Sequence, residues 1–385
     1  MAAMEKNNKN LNVPNLRFPE FSGEWEKCSL GEIGHTSIGL TYSPADVVKE
    51  DGIIVLRSSN IQDGEIDYKD LVRVNKKIKD SLFTKKDDIL ICARNGSPRL
   101  IGKNALISDV DAGHSYGAFM MVYRSEENPF VRQLLCTKRY FAQVGENLGA
   151  RINQITTSDM NSFEFFFPQS KEERNKIALF LRIIDERIST QKKIIEKYES
   201  LIRGLYHSIF NNPSSIYYLQ LREVVSVVKG KQVNGEELFE EGKYYVMNGG
   251  TEPSGYLNEY NTPADTISIS EGGNSCGYVQ YNKEPFWSGG HCYSLMPKSE
   301  NICYRFLYHF LKYKENDIMA LRIGSGLPNI QKKDIERFEV QLPSLERQRE
   351  VTTLLDAISA KLDLEKQLHH VWQPQKQYLL GSLFI

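Results

Sequence analysis

Several familiar signals are missing from this sequence, and each absence narrows what the chain can be. Its six cysteines (Cys28, Cys92, Cys136, Cys276, Cys292 and Cys303) never occur as Cys-x-x-Cys. That argues against structural zinc and a disulfide framework. Several of them lie in apolar runs such as Leu90-Ile91-Cys92-Ala93, where a reduced cysteine packs as a small hydrophobe. No stretch approaches the roughly 20 unbroken apolar residues that span a bilayer. The segment from Met1 to Asn12 is polar and rich in Asn and Lys, without the apolar core of a signal peptide. A cytoplasmic chain with no membrane contact is expected. Neither sign of charge dominates, with 48 basic and 49 acidic residues. This speaks against a protein that coats nucleic acid by bulk positive charge, but leaves room for one that works through local patches.

Catalytic motifs are missing as well. There is no G-x-x-x-x-G-K-[ST] phosphate loop and no H-E-x-x-H, and only His369 and His370 are adjacent among the histidines. No G-x-S-x-G carries the flanks of a nucleophile elbow. Asn128-Pro129-Phe130 lacks the second proline of an adenine-methyltransferase loop and reads as a turn entering a helix with Leu134 and Leu135. Glu241-Gly242-Lys243 has no strand-borne aspartate upstream to complete a nuclease site. The chain is expected to catalyse nothing by itself.

What the sequence does contain is an internal repeat. Its 385 residues, 41% of them hydrophobic, suit two or three globular domains. Gly149-Ala150-Arg151-Ile152-Asn153-Gln154-Ile155, Asp159 and Phe163-Glu164-Phe165-Phe166-Phe167-Pro168 form one copy. Gly324-Ser325-Gly326-Leu327-Pro328-Asn329-Ile330, Asp334 and Phe338-Glu339-Val340-Gln341-Leu342-Pro343 form the second, 175 residues later. Because Ser325 pairs with Ala150, it is not expected to be a catalytic serine. Each proline is followed by a charged turn and a helical pattern. Ile177, Phe180, Leu181, Ile184, Ile188, Ile194, Tyr198, Leu201, Leu205, Ile209 and Phe210 recur at steps dominated by three and four. Val351, Leu354, Leu355, Ile358, Leu362, Leu368, Trp372, Leu379, Leu383 and Phe384 take the matching positions at an offset of 174. Two helices of roughly 40 residues, about 60 Å long, are predicted. Helices of this kind pair as an antiparallel coiled coil. Pro374 should kink or break the second near Trp372; Ser200 holds that position in the first.

Upstream, Ser29-Leu30-Gly31-Glu32-Ile33 and Leu221-Arg222-Glu223-Val224-Val225 open the two halves. Short β-like runs follow: Ile53 to Leu56, Asp88 to Ala93 and Phe119 to Tyr123 in one half, and Tyr244 to Met247, Thr266 to Ser270 and Cys292 to Leu295 in the other. The loops between them differ. Asn211-Asn212-Pro213-Ser214-Ser215 reads as a linker.

This order of features resembles the specificity subunit of type I restriction–modification enzymes. Pro14-Asn15-Leu16-Arg17-Phe18-Pro19-Glu20-Phe21, Gly23-Glu24-Trp25 and Leu30-Gly31-Glu32-Ile33 are similar to a common start in that family. Asp87-Asp88-Ile89-Leu90-Ile91-Cys92-Ala93-Arg94-Asn95-Gly96 is similar to its "G-D-I-L-hydrophobic-x-R-x-G" stretch, with Asp87 in place of glycine. In Ala264 to Ser275, Glu271 stands where an arginine is often found. The resemblance implies an α+β fold: two target-recognition domains of mixed α/β structure, each followed by a long helix, the helices packing as an antiparallel coiled coil with pseudo-two-fold symmetry. On this plan 1–22 is an N-terminal segment, 23–168 and 212–343 are the recognition domains, and 169–211 and 344–385 are the spacer helices. Each domain would bind one half of a split double-stranded DNA target. Two methyltransferase (modification) subunits and restriction/translocase subunits would be the protein partners. S-adenosylmethionine, ATP and magnesium would belong to those partners, with no cofactor in this chain.

Base reading needs paired donors and acceptors, and phosphate contact needs cations, hydroxyls or backbone amides. Arg57, Ser58 and Asn60 follow one strand; Arg94, Asn95, Ser97 and Arg99 follow another; Arg151 and Asn153 lie in the repeat. Between Lys85 and Lys103, Lys85, Lys86, Arg94, Arg99 and Lys103 face only Asp87 and Asp88. The second half offers Lys229, Lys231, Gln232, Asn248, Thr251, Asn274 and Ser275, among glycines that let backbone approach the sugar–phosphate chain. His114 and His291 sit in comparable places and read as buried, satisfied histidines, and Glu271 as a structural carboxylate. Two rival readings remain: an interaction scaffold without nucleic acid, and a nuclease or methyltransferase of unfamiliar type.

Overall fold

The computed structural model describes residues 12–148, 153–211, 217–299, 301–324, 326 and 328–385. Two compact units share the chain. One holds the described residues up to Thr190 together with Leu368–Ile385, and the other holds Gln191–Gln367.

In the first unit the strands run His35–Ile38, Met120–Arg124, Ile89–Cys92, Asn104–Leu106 across an antiparallel sheet. Ile89 to Cys92 are all buried, as expected of a central strand read as one apolar run. A second sheet runs Ser115–Tyr116, Ile53–Leu56, Val72–Val74, Val47–Val48, its first pair parallel. A ribbon of Glu26–Ser29 with Glu164–Phe167 leads to the first long helix. The second unit repeats the plan. Its main sheet runs Val225–Lys229, Cys292–Pro297, Thr266–Ser270, Val279–Asn282. Tyr244–Met247 pairs in parallel with Trp287–Ser288, and Tyr217–Gln220 forms a ribbon with Glu339–Leu342. All six β-like runs noted in the sequence are strands, with ends shifted by up to two residues.

The long helices are Lys171–Asn211 and Leu345–Leu383. The charged turns after Pro168 and Pro343 have a shared task. Ser170 Oγ accepts the Glu173 N–H at 3.1 Å, and Ser344 Oγ accepts the Arg347 N–H at 3.3 Å. Arg174 then donates to the Pro168 carbonyl at 2.6 Å, and Gln348 to the Pro343 carbonyl at 2.8 Å. Each helix start is thereby capped and tied to the strand before it. Pro374 does not end the second helix, which is continuous to Leu383. The turns beyond it are anchored, Lys376 by an ion pair to Asp185 and Leu380 and Leu383 by burial, and these contacts oppose the break.

Each unit is built on both helices. In the first, the core takes Ile177 and Leu181 from the helix that follows its strands, Leu380 from the other, and Phe384 from the residue just past that helix's end. In the second, Val351 and Leu355 come from the following helix, and Tyr206 and Phe210 from the other. All four positions match at the 174-residue offset. The helices run antiparallel where they meet, Asp185 beside Lys376 in the first unit and Gln191 beside Glu365 in the second.

A polar group in the second unit links these elements. His309 is fully buried; its Nε2–H donates to Asp356 at 2.7 Å, and its Nδ1 accepts from Tyr206 at 2.9 Å. Arg305 also bonds Asp356. Burial holds the imidazole below its ordinary pKa, and the Asp356 bond only partly restores it. Burial pushes the Asp356 carboxyl up, but the Arg305 and His309 bonds outweigh it and hold it below the carboxylate range. Below about pH 6.5 the unfolded chain therefore binds a proton at His309 that the folded chain resists, and stability falls with pH. Asp356 adds a further loss below about pH 4. The urea midpoint is expected to drop between pH 7 and pH 5, and His309→Gln to flatten that slope. An unchanged slope in the variant would remove His309 as its source.

Candidate nucleic-acid interface

The loops that leave the central strands share one backbone frame in both units. Four pairs of bonds define it. Gly39 N–H donates to Met120 and Gly230 N–H to Cys292, at 3.1 and 2.9 Å. Gly117 N–H donates to Leu56 and Gly289 N–H to Met247, at 3.0 and 2.8 Å. Ala93 N–H donates to the Phe119 carbonyl and Glu271 N–H to the His291 carbonyl, both at 2.9 Å. Ile155 and Ile330, from the repeat, donate to the carbonyls of Ala93 and Glu271, both at 2.9 Å. A Cβ on Gly39 would stand 2.3 Å from the Gly117 carbonyl oxygen, and one on Gly230 2.2 Å from that of Gly289, so neither position admits another residue without backbone movement.

This frame corrects two pairings made from sequence. Glu271 matches Ala93, and the counterpart of Arg94 is Gly272; the antiparallel bridges Arg94 to Gln154 and Gly272 to Asn329 agree. His291 matches Phe119 and not His114. Nor is His291 buried, its side chain being 61% exposed. His114 is half-buried, its ring edge-on to Tyr68, and burial lowers its pKa.

In the first unit the frame gathers most of the candidates. Asn95 donates to Ser58 Oγ at 2.9 Å and accepts from the Ser97 N–H at 2.9 Å, joining the loops after the two strands. Asn153 sits at φ +53° and donates to the Gly96 carbonyl at 3.1 Å. The exposed Arg94 guanidinium lies 5.2 Å from the centre of the Phe119 ring. Arg99 is exposed; among the described residues neither it nor Arg94 has a carboxylate partner. Arg57 is held by Asp70 at 2.7 Å. Asn60 must be withdrawn as a direct contact. It is fully buried, and its amide bonds the Arg57 N–H and the carbonyls of Asp67 and Asp70. Its role is to shape the loop that carries Arg57 and Ser58. Arg151 lies outside the described residues. Of the nearby acids, Asp88 is 4% exposed and locked to Arg124. The Cys92 thiol below the loop is pushed up to about 11 by burial, which keeps it an unreactive packing group.

The second unit places Lys229, Lys231, Gln232, Thr251 and Asn274 in exposed positions, with Asn248 and Ser275 half-buried. Lys229 Nζ and the Tyr293 hydroxyl both donate to Glu271 Oε1, at 2.7 and 2.8 Å. Glu271 Oε2 is buried without a hydrogen bond, and His291 Nδ1 stands 3.8 Å from it. Asn248 Oδ1 accepts the His291 N–H at 3.1 Å. Gly273-Asn274-Ser275-Cys276-Gly277 spells G-x-S-x-G, yet it joins two antiparallel strands of one sheet. A nucleophile elbow needs a strand-to-helix turn, so Ser275 is not one. Among the described residues no His/Cys/Asp/Glu group could hold a metal ion, and no helix is long and apolar enough to cross a membrane. The sequence reading passed over Phe119 and Ile38. The glycines at 39, 117, 230 and 289, each two residues or fewer from an exposed side chain, were the available signal.

Residues 22–200 and 213–371 each match the type I restriction modification DNA specificity domain. The chain belongs to that family. A type I specificity subunit of Mycoplasma genitalium is 29% identical over 250 residues, covering 61% of this chain and 65% of its own length. One from Mycoplasma pneumoniae is 33% identical over 251 residues, covering 61% and 67%. The alignment thus spans just under two thirds of the first of these specificity subunits. The crystal structure of a type I restriction–modification S subunit from M. genitalium has the same fold, with a TM-score of 0.75, 23% identity, and 97% and 99% of the two chains covered. Each of the two matched specificity domains contains one copy of the loop frame.

Proposed function

We propose that this chain supplies the sequence specificity of a type I restriction–modification complex in the cytoplasm. The recognition domains, 23–168 and 212–343, each bind one half of a bipartite duplex target. The spacer helices, 169–211 and 344–385, set the distance between them and dock two modification subunits, with restriction/translocase subunits joining that assembly. The chain catalyses nothing alone; S-adenosylmethionine, ATP and magnesium serve the partners. One observation carries the reading: a DNA specificity domain occurs twice, with one backbone frame and different exposed side chains on it. Two readers of unlike half-sites need that combination. Arg57, Ser58, Arg94, Asn95, Ser97, Arg99, Arg151 and Asn153 are the proposed contacts of the first domain. Lys229, Lys231, Gln232, Asn248, Thr251, Asn274 and Ser275 are those of the second.

The test is duplex binding by the chain mixed with its modification subunits across a salt series. Each neutralised phosphate releases counterions, so affinity should fall by about 10³ or more between 50 and 200 mM salt if at least six phosphates are contacted. One duplex should be preferred throughout. Binding that shows neither salt sensitivity nor preference would leave the interaction scaffold as the better account. Replacing Trp25 to Phe167 by the segment of another family member should change one half-site only. The graft must keep the apolar surface that meets Ile177, Leu181, Leu380 and Phe384.

A further inference from the structure

The shared frame does more than group candidates; it says which side chains occupy the same place in the two domains. Ile38 and Lys229 end equivalent strands, just before the equivalent glycines. Arg94 matches Gly272, and Phe119 matches His291. These positions are exposed: Ile38 by 42% and Phe119 by 59%, and the side chains of Lys229 and His291 by 54% and 61%. The backbone beneath them is held by the same bonds to within about 0.2 Å, while the chemistry above it is unrelated. One domain presents a guanidinium over an aromatic ring, with an isoleucine at the end of the adjoining strand. The other presents an imidazole and an ammonium around a carboxylate.

We propose that Arg94 with Phe119, and His291 with its Glu271 support, are the matched specificity-determining groups of the two half-sites. This inference rests on the DNA-reading function proposed above. The Arg94 guanidinium carbon stands over the Phe119 ring, 5.2 Å from its centre, and the cation–π attraction favours this placement. A planar fork held in this way is organised beforehand for the paired acceptors O6 and N7 of guanine. Gly272 removes that side chain from the second domain and leaves room above the strand end. There the nearest outward group is His291, whose backbone is fixed by Asn248. Its Nδ1 faces the unbonded Oε2 of Glu271, a buried acceptor that gains a partner if the ring moves by about 1 Å. Closing that gap would fix the ring through Nδ1 and leave Nε2 as the ring nitrogen available to a base edge.

The experiment uses the full chain in complex with its modification subunits and a pool of randomised duplexes, sequenced after selection. The wild-type complex should select two unlike half-sites. Phe119→Ala and Arg94→Ala should both relax preference by about tenfold at the same base position of one half-site and leave the other unchanged. His291→Ala should relax one position of the other half-site alone, so each variant serves as the control for the rest. All three residues are exposed, and the frame bonds at 119 and 291 come from backbone atoms, so thermal unfolding should be unchanged. Intact preference at both half-sites in the variants would overturn the proposal while leaving the DNA-reading function standing. Uniform weakening over the whole pool would assign these side chains to phosphates and overturn it equally. A wild-type complex that selects no sequence would overturn the function itself.

Discussion

Phe210→Ala is expected to destabilise the second unit by about 3–5 kcal/mol, the range for deleting a buried aromatic ring. Phe210 is 6% exposed and lies in the last turn of the first long helix. Its ring stacks on Tyr313 at 5.2 Å and meets Phe310, Phe306 and Tyr206 at 5.5, 5.6 and 5.8 Å. Removing it empties a space walled by large rigid rings, which collapse poorly into a void. The 174-residue counterpart, Phe384, meets Phe130 at 5.5 Å and Trp25 at 6.4 Å, so Phe384→Ala should act in the same way on the first unit. Hydrogen exchange would show which unit loosens. Amides of Thr266–Ser270 should exchange roughly 100-fold faster or more in the Phe210 variant, and those of Ile89–Cys92 in the Phe384 variant. Equal loosening of both strands by either variant would show that the helix ends do not belong to separate cores.

Arg17→Ala should cost the first unit about 3 kcal/mol, because it strands a buried charge. Glu173 is 1% exposed in the first turn of the long helix, and Arg17 grips both its oxygens at 2.7 Å. The same guanidinium donates to the carbonyls of Ser22 and Gly23, fixing the segment that leads to Trp25. The second-unit counterpart of Glu173 is the exposed Arg347, so this clasp is particular to one half. Replacing both partners by apolar residues, Arg17→Met with Glu173→Leu, should recover much of the loss, since no unpaired charge remains. Urea unfolding of the two singles and the double gives the coupling directly. A loss below about 1 kcal/mol in Arg17→Ala would place the pair among ordinary surface contacts.

The long helices and the central strands were legible because burial imposes a period on sequence. Ile177, Leu181 and their successors mark one helical face, and Ile89 to Cys92 an apolar strand. The 175-residue repeat was legible because both copies cap a helix and close a loop in the same way. What escaped was register inside the variable loops. Nothing local distinguishes Glu271 opposite Ala93 from Glu271 opposite Arg94; the difference of one residue is fixed by bonds to Phe119, His291, Ile155 and Ile330, far off in the chain. Asn60 looked like a reader because Arg-Ser-Ser-Asn is rich in donors, and its burial depends on a return of the chain at Asp67 and Asp70. The division of each helix between two cores was equally invisible, since periodicity shows which face is buried and not against what.

That division has a consequence for synthesis. Strands of the first unit leave the ribosome early, but two of the rows that close its core, at Leu380 and Phe384, are made only after every residue of the second unit. The second unit needs nothing beyond Gln367. The half that begins first therefore completes its core last, since Leu380, Leu383 and Phe384 are added only after the other half has been synthesised.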